Sequence, residues 1–75
     1  MISKIDFYVI ERVKQIRRER KISQFDLAHG IGVTSGFIGK VESSNTSSRY
    51  NLQHINEIAK FLKISPQDLL PNEPL

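Results

Sequence analysis

The fold of this chain is decided between residues 23 and 42, which read SQFDLAHGIGVTSGFIGKVE. Small and apolar residues occupy the positions at which two packed helices need close contact and a permissive turn, namely Ala28, Gly32, Ile38 and Val41. This spacing predicts a helix-turn-helix unit. In a basic chain, such a unit indicates binding in the major groove of DNA.

Polar residues and glycines mark the ends of the first helix of this unit. Ser23 is suited to cap a helix that begins at about Gln24, because its hydroxyl can accept a hydrogen bond from a first-turn amide. Gly30 and Gly32 are expected to end that helix, and Gly32 is the better candidate for the left-handed residue. The helix is therefore predicted to be short.

The second helix of the unit is predicted at about residues 35–42, capped by Thr34 or Ser35. Residues 43–51 follow it and are polar, without apolar periodicity. We expect them to form the longest loop of the chain.

Hydrophobic periodicity predicts further helices at about residues 8–21 and 52–62. The apolar residues that recur at helical spacing are Val9, Val13 and Ile16 in the first, and Leu52, Ile55, Ala59 and Leu62 in the second. Ser65 and Pro66 are typical of a helix start and predict a short fifth helix that carries Leu69. The predicted fold class is therefore all-α, a compact five-helix bundle containing a helix-turn-helix.

Length and composition limit the number of domains and exclude some classes of protein. Seventy-five residues suit a single domain over residues 1–75, with a core at 8–70, that buries about 60% of its unfolded surface. The sequence has no cysteine, which excludes a disulfide framework and a thiolate metal site. It has neither a signal-peptide pattern nor a run of roughly 20 apolar residues. We therefore expect a cytoplasmic protein.

The positive charges are unevenly distributed. The formal net charge is only +3, but residues 12–21 carry six of the eleven basic residues and residues 64–75 carry none. Such asymmetry suits a surface that faces a polyanion, although a basic helix is more often simply solvated.

These features together resemble the phage-repressor-like helix-turn-helix family, also described as the Xre or Cro/C1 type, over roughly residues 9–70. The resemblance is carried by Ile22-Ser23-Gln24, Leu27-Ala28, Ile31-Gly32-Val33, Ile38 to Glu42, Ile58-Ala59, Leu62, Ile64-Ser65 and Leu69-Leu70. It implies a lambda-repressor-like DNA-binding domain that regulates transcription by binding double-stranded DNA. It also implies that the helix at 35–42 lies in the major groove.

The resemblance implies that Gln24 bonds a DNA phosphate. Physical chemistry supports that role, since a helix N-terminus attracts anions and a glutamine adds a neutral donor. Alternatively, Gln24 is only a solvated first-turn residue. The full predicted set of phosphate-binding residues is Ser23, Gln24, Ser43, Asn45, Arg49 and Tyr50, and the short hydroxyls of residues 43–48, Ser44 among them, add further donors.

The residues predicted to face the bases or the groove are Thr34, Ser35, Gly36, Phe37, Gly39 and Lys40. This face lacks the Arg, Asn and Gln side chains that form paired contacts with guanine and adenine, so Lys40 is its only long donor. Phe37 is open to two interpretations, contact with a thymine methyl or packing on the bundle. Gly36 and Gly39 weaken the helix, and close approach to DNA, tight packing or relaxed selection would account for one or both.

Arg17 and Glu42 are assigned a structural role. In some members of the family, the matching residues pair across the bundle and join the first helix to the end of the third. We therefore expect a structural ion pair and no DNA contact from Arg17.

Other chemistries receive no support. His29 and His54 lie on separate elements without ligands at suitable spacing, so no metal, no cofactor and no enzymatic activity are predicted. Limited DNA contact by one module implies a homodimer, at least on DNA, with Phe7, Tyr8 or residues 70–75 as the candidate surface. Two alternatives keep the same fold: an antitoxin whose main partner is a toxin, and a module that binds only proteins.

Overall fold

The computed structural model describes residues 2–43 and 45–75, so Ser44 lies outside the described part. The described residues form four α-helices followed by one turn of 3-10 helix. Their bounds are α1 Lys4–Glu19, α2 Gln24–Ile31, α3 Ser35–Glu42, α4 Leu52–Leu62 and the 3-10 turn Pro66–Leu69.

The core lies where α2 packs against both α3 and α4, and α1 closes it from the other side. Its most completely buried large side chains are Val13, Leu27, Ile38, Ile58, Leu62 and Leu69, each less than 2% exposed. Full burial of such a side chain contributes about 1.5–3 kcal/mol. The helical periodicity of the sequence thus identified the buried faces of α1 and α4, except at Leu52, which is 82% exposed.

The prediction of a fifth α-helix is wrong. The segment Pro66–Leu69 is a single 3-10 turn, held by the Ser65–Asp68 capping box and by the amide of Leu70, which donates to the carbonyl of Gln67. Pro66 has no amide hydrogen to donate, and Pro71 follows two residues after the turn. The segment is therefore too short for i to i−4 bonds to develop.

Helix α1 begins earlier than the apolar pattern predicts. Ser3 caps it by accepting a hydrogen bond from the amide of Asp6 at 3.1 Å, so the helix starts at Lys4 and not near Tyr8. At its other end, Lys21 adopts a positive φ of 57°. The helix therefore ends at Glu19.

The two glycines of α2 differ in role. Gly32 ends the helix with a left-handed φ of 78°, as predicted. Gly30 lies inside the helix, contrary to the prediction that it helps to end it. A Cβ added to Gly30 would overlap the ring of Phe61 on α4, so the missing side chain provides room for that ring.

Candidate nucleic-acid interface

The helix-turn-helix unit consists of α2 and α3, each capped by a hydroxyl. Ser23 Oγ accepts from the amide of Asp26 at 2.9 Å, and Thr34 Oγ1 accepts from the amide of Phe37 at 3.1 Å. Of the two caps considered for α3, the structure thus uses Thr34.

Four residues of the predicted base-reading face are exposed, namely Thr34, Ser35, Gly36 and Lys40, whereas Phe37 and Gly39 are half-buried. A Cβ added to Gly36 would meet no close neighbour, because the nearest atom, Thr34 Oγ1, lies at an ordinary contact distance of 3.9 Å. Packing therefore does not require a glycine at this position.

Arg17 and Glu42 form a bidentate ion pair at the base of this unit. Arg17 Nε donates to Glu42 Oε2 at 2.9 Å, and Arg17 Nη2 donates to Glu42 Oε1 at 2.8 Å. The side chains are 9% and 3% exposed. A third bond, from Arg17 Nη1 to the carbonyl of Ile22 at 2.7 Å, ties the pair to the start of the unit.

Gln24 is held by the same carboxylate. Its Nε2 donates to Glu42 Oε1 at 3.0 Å, and the residue is half-buried. Its Oε1 lies beside α3, 3.6 Å from the position that a Cβ on Gly39 would occupy. No local sequence signal indicates this link, because Gln24 and Glu42 are 18 positions apart and meet only in the folded chain.

Phe37, Tyr50 and His54 form an aromatic cluster beside α3. The ring centroids of Phe37 and His54 are 4.9 Å apart, and that of Tyr50 lies 6.2 Å from Phe37 and 6.1 Å from His54. Of the two interpretations of Phe37, packing on the bundle is therefore the one that the structure shows. His54 also accepts from the amide of Asn51 through Nδ1, which completes the cap of α4.

The placement of Tyr50 requires a correction. Tyr50 is predicted from the sequence to bind a phosphate from the polar loop, but it is only 5% exposed and belongs to the core. Its hydroxyl is buried without a hydrogen-bond partner among the described residues. Burial raises the pKa of this hydroxyl above its ordinary value of 10, the charge of Glu42 raises it further, and Arg17 lowers it. We therefore remove Tyr50 from the phosphate-binding set.

The remaining loop residues lie near the end of α3. Ser43 Oγ accepts from the amide of Asn45 at 3.2 Å, and Thr46 donates to the carbonyl of Lys40 at 2.6 Å. Arg49 is 58% exposed in its side chain, with Nε 3.7 Å from a carboxylate oxygen of Asp6. Its long, weak contact leaves the guanidinium accessible to solvent and to an anion.

The basic run at residues 12–21 is only partly available to a polyanion. Arg12 donates to the carbonyl of Asp68, Arg20 donates to that of Leu62, and Arg17 is paired with Glu42. Arg18 and Lys21 are exposed. Half of the run thus holds the bundle together.

No group of three or more His, Cys, Asp or Glu residues that could hold a metal ion is found within residues 2–43 and 45–75. His29 instead stacks on Phe25, with centroids 6.3 Å apart and both residues exposed. Across the same residues, no helix is long and apolar enough to cross a membrane.

Comparison with known proteins agrees with this geometry. Residues 12–74 match the model of the Cro/C1-type HTH DNA-binding domain. The restriction-modification controller protein C.AhdI from Aeromonas hydrophila is similar in structure, with a TM-score of 0.72 and 27% identity over 84% of this chain and 92% of that one. The P22 c2 repressor, solved with a synthetic operator, gives a TM-score of 0.68 and 31% identity over 87% and 96%.

A chain from the complex of SinR and SinI has a TM-score of 0.70 and 26% identity. The match covers 85% of this chain and 61% of that one. A search of curated proteins finds no match. The family match covers most of the sequence, and the solved relatives share its fold. The chain therefore belongs to the Cro/C1-type helix-turn-helix family of DNA-binding domains.

Proposed function

We propose that the protein binds double-stranded DNA sequence-specifically and regulates transcription, with the exposed face of α3 in the major groove. The observation that carries the proposal is the juxtaposition of that face with Gln24 at the start of α2. In helix-turn-helix proteins, the second helix contacts base edges while the first helix crosses the backbone. Lys40 is the long donor of this face and is exposed.

The phosphates on either side of the groove would be bound by the start of α2 and by the loop after α3. Ser23 and Gln24 bring the positive end of a helix dipole to the first site. At the second, Arg49 supplies a charge, and Ser43 and Asn45 supply short polar groups. These contacts fix the register on DNA without reading its sequence.

A homodimer on DNA is part of the proposal. A single small module contacts only one half-site, so two copies about 34 Å apart give the affinity that a specific site requires. Phe7 is 55% exposed and Leu75 is 62% exposed, which makes both available to a second copy. We expect the protein to act by binding, without catalysis.

A second candidate function, in which a toxin or other protein is the main partner, has a specific observation in its favour. The face of α3 that is proposed to contact bases has few side chains that can reach them. Thr34 and Ser35 are short, Gly36 has no side chain and Phe37 is packed. One structural relative was also solved as a complex of two proteins. Copurification of a specific protein, with no DNA retained at low salt, would favour this candidate.

Fluorescence anisotropy with a random-sequence duplex tests the proposal first. Binding should be measurable at about 50 mM salt and weaken steeply by about 200 mM, because phosphate contacts release counterions. Lys40→Ala should weaken it, whereas Lys60→Ala, on the exposed side of α4, should have little effect. Absence of binding at the lower salt concentration would contradict the proposed function.

A further inference from the structure

We propose that Glu42 is a positioning residue for DNA binding, because it fixes the side-chain amide of Gln24 that contacts the phosphate. The inference rests on the proposed function and adds to it a residue that does not itself touch DNA. Glu42 is 97% buried in its side chain and lies at the end of α3, whereas Gln24 begins α2.

The chemistry of Glu42 determines which way the amide points. An ionised carboxylate only accepts hydrogen bonds, so the atom of Gln24 that faces it must be the nitrogen. The donor–acceptor distance of 3.0 Å between Gln24 Nε2 and Glu42 Oε1 is that of an ordinary bond. The amide orientation of Gln24 is therefore set by its partner.

Arg17 makes Glu42 a rigid acceptor. Its two bonds to the carboxylate, at 2.8 and 2.9 Å, hold both oxygens of the carboxylate. Glu42 Oε1 thus receives one donor from α1 and one from α2. A side chain fixed in this way can orient Gln24 before DNA arrives, which lowers the entropy cost of binding.

Orientation by Glu42 defines what Gln24 offers to DNA. One hydrogen of Nε2 is used by Glu42, and the second is available to a phosphate oxygen. The carbonyl oxygen lies beside Gly39, 3.6 Å from the position that a Cβ would occupy there. In the reverse orientation, two acceptors would face each other at Glu42.

A double-mutant cycle tests the coupling, with a random-sequence duplex of about 20 base pairs as the probe. A Glu42 variant that leaves Arg17 buried without its counter-charge risks unfolding. Gln24→Ala is therefore measured in two backgrounds, the native chain and a chain in which Arg17→Met and Glu42→Met replace the ion pair together. Apolar residues of similar volume often substitute for a buried ion pair without loss of the fold. Thermal melting and circular dichroism establish that each variant is folded at the temperature of the binding assay.

Gln24→Ala should weaken DNA binding about tenfold in the native background and less than about twofold in the apolar-pair background. Gln15→Ala, which alters an exposed glutamine of α1, should have little effect in either. An equal loss for Gln24→Ala in both backgrounds would overturn the inference while leaving the proposed function intact. A native chain that does not bind the duplex would overturn both.

Nuclear magnetic resonance of the DNA-free protein tests the hydrogen bond on which the inference rests. The two Nε2 protons of Gln24, assigned with the Gln24→Ala variant, should be well separated and shifted from those of the exposed glutamines. In the folded apolar-pair variant they should move to the positions of the exposed glutamines. Unshifted Gln24 resonances in the native protein would overturn the inference.

Discussion

Glu42 accepts both hydrogen bonds of a buried fork from Arg17, which joins the end of α3 to the last turn of α1 across 25 positions of sequence. Two charges this deeply buried stabilise the fold only as a pair, because either one alone would remain desolvated. The pair therefore connects the stability of the bundle to the helix that is proposed to enter DNA.

Glu42→Ala should lower the free energy of unfolding by about 3–5 kcal/mol, because it leaves the Arg17 guanidinium buried without its counter-charge. Thermal and denaturant melting measure the change. Glu57→Ala is the matched control, since Glu57 forms an exposed pair with Lys60 at 3.3 Å and should cost no more than about 1 kcal/mol. An unchanged melting curve for Glu42→Ala would contradict the structural role of the pair.

Tyr50→Phe should leave the fold as stable as the native one or stabilise it by about 1 kcal/mol. The variant removes a hydroxyl that is buried without a hydrogen-bond partner among the described residues. Chemical denaturation at neutral pH measures the difference. A loss of more than about 1 kcal/mol would show that the hydroxyl has a partner.

The same tyrosine should make stability fall at high pH. An unfolded chain releases the tyrosine proton near pH 10, whereas the raised pKa of Tyr50 keeps the folded protein protonated above that pH. The folded state then binds more protons than the unfolded state, so the free energy of unfolding declines by up to about 1.4 kcal/mol per pH unit.

Comparison of variants isolates this contribution from other titrating groups. Tyr50→Phe should show a shallower decline between about pH 9 and 11, while Tyr8→Phe, at an exposed tyrosine, should follow the native curve. Identical slopes for the native protein and Tyr50→Phe would contradict the burial of Tyr50.

Alanine should have opposite effects at two glycines. Gly30→Ala should destabilise the fold by about 1–3 kcal/mol, because the new methyl group overlaps the Phe61 ring. Gly36→Ala should stabilise it by up to about 1 kcal/mol, because that position is exposed and a methyl group fits there without a close contact. Denaturant unfolding measures both, and Phe61→Leu should partly rescue Gly30→Ala. A destabilised Gly36→Ala variant would disagree with the open surface.

The glycines of α3 also test how closely the helix approaches DNA. Gly36→Ala combined with Gly39→Ala should fit the free protein, since a Cβ added at Gly39 would lie at an ordinary contact distance of 3.6 Å from its nearest neighbour, Gln24 Oε1. If the backbone of α3 comes close to DNA, this double variant should nevertheless bind more weakly to a DNA sequence that the native protein selects from a random pool. Tighter binding of the double variant would rule out close approach.

Arg49→Ala should weaken binding to all DNA sequences and reduce the salt dependence of the binding constant by about one unit of slope. The guanidinium is mostly exposed and only loosely paired with Asp6, so it is available to a phosphate. Binding isotherms at several salt concentrations give the slope. An unchanged slope would remove Arg49 from the phosphate contacts.

Local signals predicted the helix-turn-helix unit well. Ser23 and Thr34 cap α2 and α3, and Gly32 ends α2. A cap and a left-handed glycine act within a few residues of sequence, so their effect is visible without knowledge of the tertiary fold. Ser3 provides the same kind of signal for α1, and it marks the start of that helix better than the apolar stripe does.

Tertiary contacts account for what the sequence did not reveal. Tyr50 follows a polar loop, and only its packing against Phe37 and His54 shows that it is buried. Gly30 has the appearance of a helix terminator, but its neighbour is a ring on another helix. Such contacts depend on how helices pack, which local pattern and composition do not specify.

Selection of bound duplexes from a random pool tests most directly whether α3 reads DNA. The native protein should enrich a site with twofold symmetry, whose half-sites are about 34 Å apart. Lys40→Ala should reduce that enrichment while retaining salt-dependent binding to random duplex. A pool that stays random after repeated selection, although the protein is folded and binds DNA, would contradict sequence-specific recognition by α3.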